Sequence, residues 1–229
     1  MGHYTGRVTE IRLEASKNTE AWIACPAEAI PPAGQYMLAY APADSDAALG
    51  ITVFAGESSG QGFWAAPPFP AAWGPGTSLD LHGPLGHGFD LPKNLQRLGL
   101  VALGETVSRL MPLVQQAARS NCAMTLFADS PLPSIPSSLE VYPLASLADA
   151  LDWLDFLALD LPLQHLPELR KVFGLVDEAW LPWPGQALVW TPMPCAGMAQ
   201  CGVCAVSARR GWKLACEDGP VFDLKALKW

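Results

Sequence analysis

Apolar and polar positions alternate in short runs along the first ninety residues. Residues 4–13 and 20–25 each alternate and read as strands. Pro31, Pro32 and Gly34 punctuate the chain before a third strand that ends at Tyr40, and residues 50–55 and 78–82 supply two more. Short strands separated by turn signals predict a small antiparallel β-barrel over residues 1–90. The period then changes. Residues 98–103 and 123–128 are continuous apolar runs, and 156–159 is strand-like. Residues 106–119 set Val107, Leu110, Leu113 and Val114 at helical spacing. Residues 144–155 read as a second helix, with Asp149, Asp152 and Asp155 on its solvated face. Strand and helix in alternation predict an α/β domain with a parallel sheet over residues 91–185. Residues 186–229 form a third, small unit rich in cysteine.

That unit holds Cys195, Cys201, Cys204 and Cys216, four of the six cysteines, at a spacing of C-x5-C-x2-C-x11-C. The residues between Cys195 and Cys204 are mostly small, so backbone N–H groups can turn inward toward concentrated thiolate charge. The spacing is one residue from the C-x4-C-x2-C run of plant-type [2Fe–2S] sites. Structural zinc is the rival, although its sites usually show two short knuckles and this stretch has one, Cys201–Cys204. Disulfides would suit a secreted chain. Cys25 and Cys122 stand apart and read as small buried hydrophobes.

Composition narrows the function classes. Of 229 residues 50% are hydrophobic and 16% charged, ample for a buried core, and the net charge of −8 speaks against a nucleic-acid partner. The last twenty-nine residues run the other way. Arg209, Arg210, Lys213, Lys225 and Lys228 face Glu217, Asp218 and Asp223, a balance of +2 beside the cysteines. Five of nine tryptophans (Trp180, Trp183, Trp190, Trp212 and Trp229) lie after residue 179, around the cysteine stretch, as shielding for a metal group or as a docking surface. The first residues lack the charged head and apolar run of a secretory signal, and no run of eighteen apolar residues occurs. The expectation is a soluble cytoplasmic chain with reduced thiols and no membrane partner. No Gly-x-Ser-x-Gly, P-loop or His-Glu-x-x-His stretch supports a hydrolase. His82 and His87 flank a turn and read as turn or interface residues.

Residues 193–224 read MPCAGMAQCGVCAVSARRGWKLACEDGPVFDL. The Met-Pro-Cys lead-in, the Cys-Gly-x-Cys knuckle and the Cys-x-Asp-Gly-Pro-Val-Phe tail resemble the electron-transfer subunit of dihydroorotate dehydrogenase, within the ferredoxin-reductase-like flavoproteins. Gly83-Pro84-Leu85-Gly86-His87-Gly88-Phe89 resembles the turn that closes the barrel in that family, and Ala33-Gly34-Gln35-Tyr36 the turn that leads into its flavin-side strand. The resemblance implies a [2Fe–2S] cluster on Cys195, Cys201, Cys204 and Cys216. For FAD it implies Gly34, Gln35, Tyr36, Thr52, Gly60 and Gly62.

Departures accompany the likeness. Where the family carries an Arg that clamps the flavin pyrophosphate, this chain reads Leu49-Gly50-Ile51-Thr52, and Leu offers neither charge nor forked hydrogen bonds. Phe63 follows Gly60-Gln61-Gly62 in place of a small hydroxyl residue. The family's Gly-rich nicotinamide turn is here Ala102-Leu103-Gly104-Glu105-Thr106, with a carboxylate where phosphate charge would sit, and the later Cys-Gly-Pro signature is absent near residues 157–161. These departures argue against NAD and weaken the case for FAD. The function expected from the resemblance is an electron-transfer subunit whose cluster passes single electrons between a dihydroorotate dehydrogenase-like flavoenzyme and a second carrier protein. The alternatives are a FAD-containing NAD(P)H-linked reductase subunit and a non-redox assembly module that holds zinc.

Overall fold

A computed structural model of the chain describes residues 2–13, 19–41, 50–130, 136–174, 181–195 and 197–228. Its first six strands are β1 (Gly2–Leu13), β2 (Thr19–Ala24), β3 (Tyr36–Tyr40), β4 (Ile51–Ser59), β5 (Gly62–Ala65) and β6 (Ser78–Leu85). They close into a barrel in the order β1-β2-β5-β4-β3-β6, antiparallel throughout. Alternation sets which side chains fill it. On β6, Leu79 and Leu81 are buried while Ser78 and Asp80 between them are exposed. Val8, Ile23, Met37, Val53 and Phe63 complete this core. Residues 60–61, expected on a phosphate-side loop, form the tight turn between β4 and β5, and Phe63 is a core residue of the barrel.

The second sheet has the order β14-β11-β10-β7-β8-β9. Its strands are β7 (Arg97–Ala102), β8 (Ala123–Ala128), β9 (Leu139–Tyr142), β10 (Phe156–Pro162), β11 (Gly185–Trp190) and β14 (Val221–Asp223). The pairs from β9 to β11 are parallel, and β14 runs antiparallel at the edge. The sheet extends past residue 185, because β11 and β14 flank the cysteine stretch and its hairpin, β12 (Ala205–Ala208) and β13 (Gly211–Leu214). The helix expected over 106–119 is shorter, a 3-10 turn (Ser108–Leu110) leading into α1 (Met111–Ala118), and Val107, Leu110, Leu113 and Val114 are all buried. Two short helices, α2 (Leu147–Ala150) and α3 (Leu166–Val172), cover the other face with Leu147, Leu166 and Leu169.

The helix expected over 144–155 is corrected. It is a 3-10 turn followed by the four residues of α2, and it ends at Ala150. The physical reason lies at its far end. The Asp155 carboxylate accepts from the backbone N–H of Gln96 and Arg97 and from the Arg97 guanidinium at 2.6 Å. That capture pins residue 155 to the start of β7, so the chain must leave the helix to enter β10. Asp149 and Asp152 are exposed, as expected. None of the described helices is long and apolar enough to cross a membrane.

Barrel and sheet meet along two seams. At one, Glu20 on β2 is fully buried and accepts from both Ser108 and Arg12, and Gln115 on α1 bonds the backbone and side chain of Ser58. The other seam joins the two stretches that carry the family resemblance. His87 N–H donates to the Gly219 carbonyl at 2.6 Å, its Nδ1 lies 3.0 Å from the Asp218 carbonyl, and Val221 N–H donates back to His87 at 3.4 Å. Gly34 takes φ +81° here, and a Cβ on it would strike the Val221 side chain. The Gly-Pro-Leu-Gly-His-Gly-Phe turn and the Asp-Gly-Pro-Val-Phe tail are thus two sides of one contact.

Candidate metal centre

Cys195, Cys201 and Cys204 lie on the loop between β11 and β12, and Cys216 follows β13. Gly197 and Ala199 both take left-handed backbone conformations, with φ of +78° and +57°, which turn the loop back on itself. Burial opposes ionisation of Cys195. Hydrogen bonds from the Cys201 thiol and from the backbone N–H groups of Gln200, Cys201 and Met198 outweigh it and hold the thiol down to about 6. The Cys204 and Cys216 sulfurs lie 3.3 Å apart. Burial, then the hydrogen bond and charge of Cys204, push Cys216 up to about 12. Cys195, Cys204 and Cys216 are buried and Cys201 is exposed; all six cysteines of the chain are free thiols. Cys25 is half-buried and Cys122 buried, and burial raises both.

The sulfurs therefore fall into two pairs, Cys195 with Cys201 and Cys204 with Cys216. Among the described residues no three His, Cys, Asp or Glu side chains converge on one ion site. A single zinc needs its ligands around one point, whereas an iron–sulfur group spans more than one iron and draws thiolates to each. The donor set fits the second demand. One side of the centre belongs to the barrel. Tyr36 is 1% exposed, its hydroxyl reaches toward the Cys216 carbonyl at 3.5 Å, and a Cβ on Gly197 would sit 3.1 Å from its oxygen. Burial, and then the charges of Cys216, Cys204 and Cys195, push this phenol up to about 12. The outer side carries exposed Met198, Val203 and Trp212, and a cleft of about 730 Å³ lined by Arg209, Arg210, Lys213 and Lys225. Trp183 stacks on Phe173 and Trp190 lies 5.8 Å from the Arg109 guanidinium; Trp180 and Trp229 lie outside the described residues.

The residues expected to hold FAD are spread along the barrel, with Thr52 paired to Leu38 of β3. Gly34 packs against Val221 and Phe89, Gln35 donates to the Gly86 carbonyl at 2.7 Å, and Tyr36 faces the cysteines. Thr52 sits near one end of β4 and Gly60 just beyond the other, roughly 25 Å away at about 3.3 Å per residue. Gly62 is held against the Ile23 carbonyl of β2. Leu49 lies outside the described residues.

Beside Gly104 and Glu105 lies a buried ion pair that the sequence reading missed. The sheet changes direction between β7 and β10, the usual ligand crevice of such sheets. Here Arg109 Nε lies 3.0 Å from both carboxylate oxygens of Asp160 on β10, and its Nη1 donates to the Pro67 carbonyl of the barrel at 2.5 Å. Arg109 is 4% and Asp160 0% exposed. Burial pushes the Asp160 carboxyl up, against the charge and hydrogen bonds of Arg109. What remains is a cleft of about 240 Å³ bordered by Gly104, exposed Glu105 and Trp190. One signal pointed here: Asp160 is a lone carboxylate inside an apolar strand, and such a charge requires a partner.

These features define a class by fold, a closed antiparallel barrel joined to a parallel α/β sheet as in ferredoxin reductases, with a cysteine-rich stretch at the C-terminal end. Residues 192–228 match the family described as the iron–sulfur cluster binding domain of dihydroorotate dehydrogenase B. The chain is 25% identical over 177 residues to the electron transfer subunit of dihydroorotate dehydrogenase B (NAD(+)) from Clostridium perfringens, covering 65% of each chain. It thus spans just under two thirds of that relative's length. Among solved structures, the NADH-dependent reduced ferredoxin–NADP oxidoreductase superposes with a TM-score of 0.73 at 19% identity, over 98% of this chain and 90% of that one. Phthalate dioxygenase reductase, described as a modular structure for electron transfer from pyridine nucleotides to [2Fe–2S], gives 0.56 at 12% identity over 94% and 78%.

Proposed function

We propose that this chain is an electron-transfer subunit that holds a [2Fe–2S] cluster on Cys195, Cys201, Cys204 and Cys216. On this reading it relays electrons between a dihydroorotate dehydrogenase-like flavoenzyme and a second carrier protein in the cytoplasm. The observation that carries the proposal is the pairing of four free thiols inside the segment that matches an iron–sulfur domain. When bound, the cluster supplies one-electron chemistry. Everything else falls to the chain's own residues. Backbone N–H groups of residues 198, 200 and 201 already point at Cys195 and offset thiolate charge there. Tyr36 closes the inner side to water. Exposed Cys201, Met198 and Val203 leave the outer side open to a partner.

On the same reading the chain binds neither FAD nor NAD of its own. The Arg109–Asp160 pair narrows the crevice, Glu105 opposes phosphate, and Leu49 stands where the family's pyrophosphate-clamping Arg would be. Its partner must then be a flavoenzyme able to split a two-electron step into single electrons. The test is a visible spectrum of anaerobically purified protein, with iron, acid-labile sulfide and acid-released flavin measured on the same sample. The expected result is a brown protein with two irons and two sulfides per chain and no stoichiometric flavin. A colourless protein holding zinc would turn the reading to an assembly module. About one FAD per chain, with NADH reducing the cluster, would turn it to a reductase subunit.

A further inference from the structure

We infer that Tyr36 is a positioning residue through which the barrel sets the electron affinity of the cysteine centre. This rests on the cluster reading above. Tyr36 opens β3, so its backbone is fixed by pairing with Phe54 and Leu85 in a closed barrel. Its ring is held against Phe54, with centroids 5.8 Å apart, and against Gly86, where a Cβ would sit 3.0 Å from the ring edge. A phenol pinned in this way cannot swing out to solvent. Its hydroxyl donates to the Cys216 carbonyl at 3.5 Å, a long contact, and a Cβ on Gly197 would sit 3.1 Å from its oxygen, so it rests against the backbone of the cysteine loop. The O–H dipole is therefore directed at the backbone of Cys216, one of the four proposed ligands.

Adding an electron raises the negative charge of a thiolate-bound centre. A buried O–H dipole whose positive end lies toward a ligand residue stabilises the reduced state more than the oxidised one, so it raises the reduction potential. Burial of Tyr36 strengthens the effect, because the dipole acts in a low-dielectric setting. Phenylalanine at this position would keep the packing and lose the donor.

The experiment is a redox titration of the iron–sulfur-loaded full chain, read by visible circular dichroism and electron paramagnetic resonance. Tyr36→Phe should load normally and hold its added electron about three- to tenfold less tightly, a fall of ~30–60 mV at 59 mV per tenfold for one electron. Tyr40→Phe, a change on the same strand, should leave the potential where it was. Biosynthetic replacement of tyrosine by fluorotyrosine, a stronger donor, should shift the potential upward, and this shift should vanish in Tyr36→Phe. An unchanged potential in Tyr36→Phe overturns the inference. If Tyr36→Phe fails to load, the fluorotyrosine shift decides: an upward move supports the role and none rejects it. Wild-type protein that holds no iron would instead overturn the cluster proposal.

Discussion

Replacing Arg109 with methionine keeps most of the side-chain length and removes the charge that neutralises Asp160. Two opposing costs fix the magnitude. Breaking a buried pair by removing one partner typically costs about 3–5 kcal/mol, because the remaining charge is left without compensation. The carboxylate has an escape, since it can take a proton. From its ordinary value of 3.8, neutralising it at pH 7 costs roughly 4 kcal/mol, at about 1.4 kcal/mol per unit. The electrostatic penalty of Arg109→Met is therefore capped near 4 kcal/mol at pH 7. At roughly 2–4 °C per kcal/mol for a chain of this size, a 3–4 kcal/mol loss lowers Tm by about 6–16 °C. The cap shrinks as the medium becomes acidic. In the variant, Asp160 titrates higher when folded than when unfolded, so stability is lost as pH rises and regained as pH falls. At pH 5 the cap is only about 1.6 kcal/mol by the same reckoning, and the gap between variant and wild type narrows by more than half. Differential scanning calorimetry of both proteins from pH 7 to pH 5 measures this directly. Arg109→Met/Asp160→Leu removes both charges and should recover most of the loss. A pH-independent penalty, or a double variant that costs the sum of the singles, would refute the reasoning.

Three further outcomes are expected. Cys204→Ser should bleach the visible chromophore, while Cys122→Ala should leave it intact and cost no more than a core methyl-scale change; equal bleaching by both sinks the ligand assignment. Reversing charge at Arg209 and Arg210 should slow association with the proposed flavoenzyme partner about tenfold at low ionic strength, measured by biolayer interferometry. That difference should close as salt is raised to about 0.5 M, and a salt-independent defect counts against the basic face as the docking side. Hydrogen bonding from Arg97 holds the Asp155 carboxyl below its ordinary value, so its contribution is present above pH 3.8 and lost as pH falls through the lower folded value. Asp155→Asn should accordingly lower Tm at pH 7 and lose that effect in acid, and a gap that widens in acid contradicts the pairing.

Much of this molecule is written in local pattern. The alternation of Leu79 and Leu81 with Ser78 and Asp80 gives a barrel strand, the spacing of Leu113 and Val114 gives α1, and the runs at 98–103 and 123–128 give the central strands. Such signals survive in the sequence because burial on one face imposes a period of two or 3.6 on neighbouring residues. The cysteine spacing is local for the same reason, as is the likeness of residues 193–224 to an iron–sulfur tail. β14 is three residues long and too short to show a period. The hairpin turn at 60–61 has the composition of a phosphate loop, and Asp155 has the spacing of a helix face until Arg97 captures it. What tertiary structure alone decided is which distant residues meet. The sulfurs pair as 195 with 201 and 204 with 216, Arg109 crosses 51 residues to Asp160, and the Tyr36 hydroxyl reaches Cys216 across 180. No period links such positions. A buried charge demands some partner and a crevice demands some filling, but strand order determines which side chains arrive to supply them.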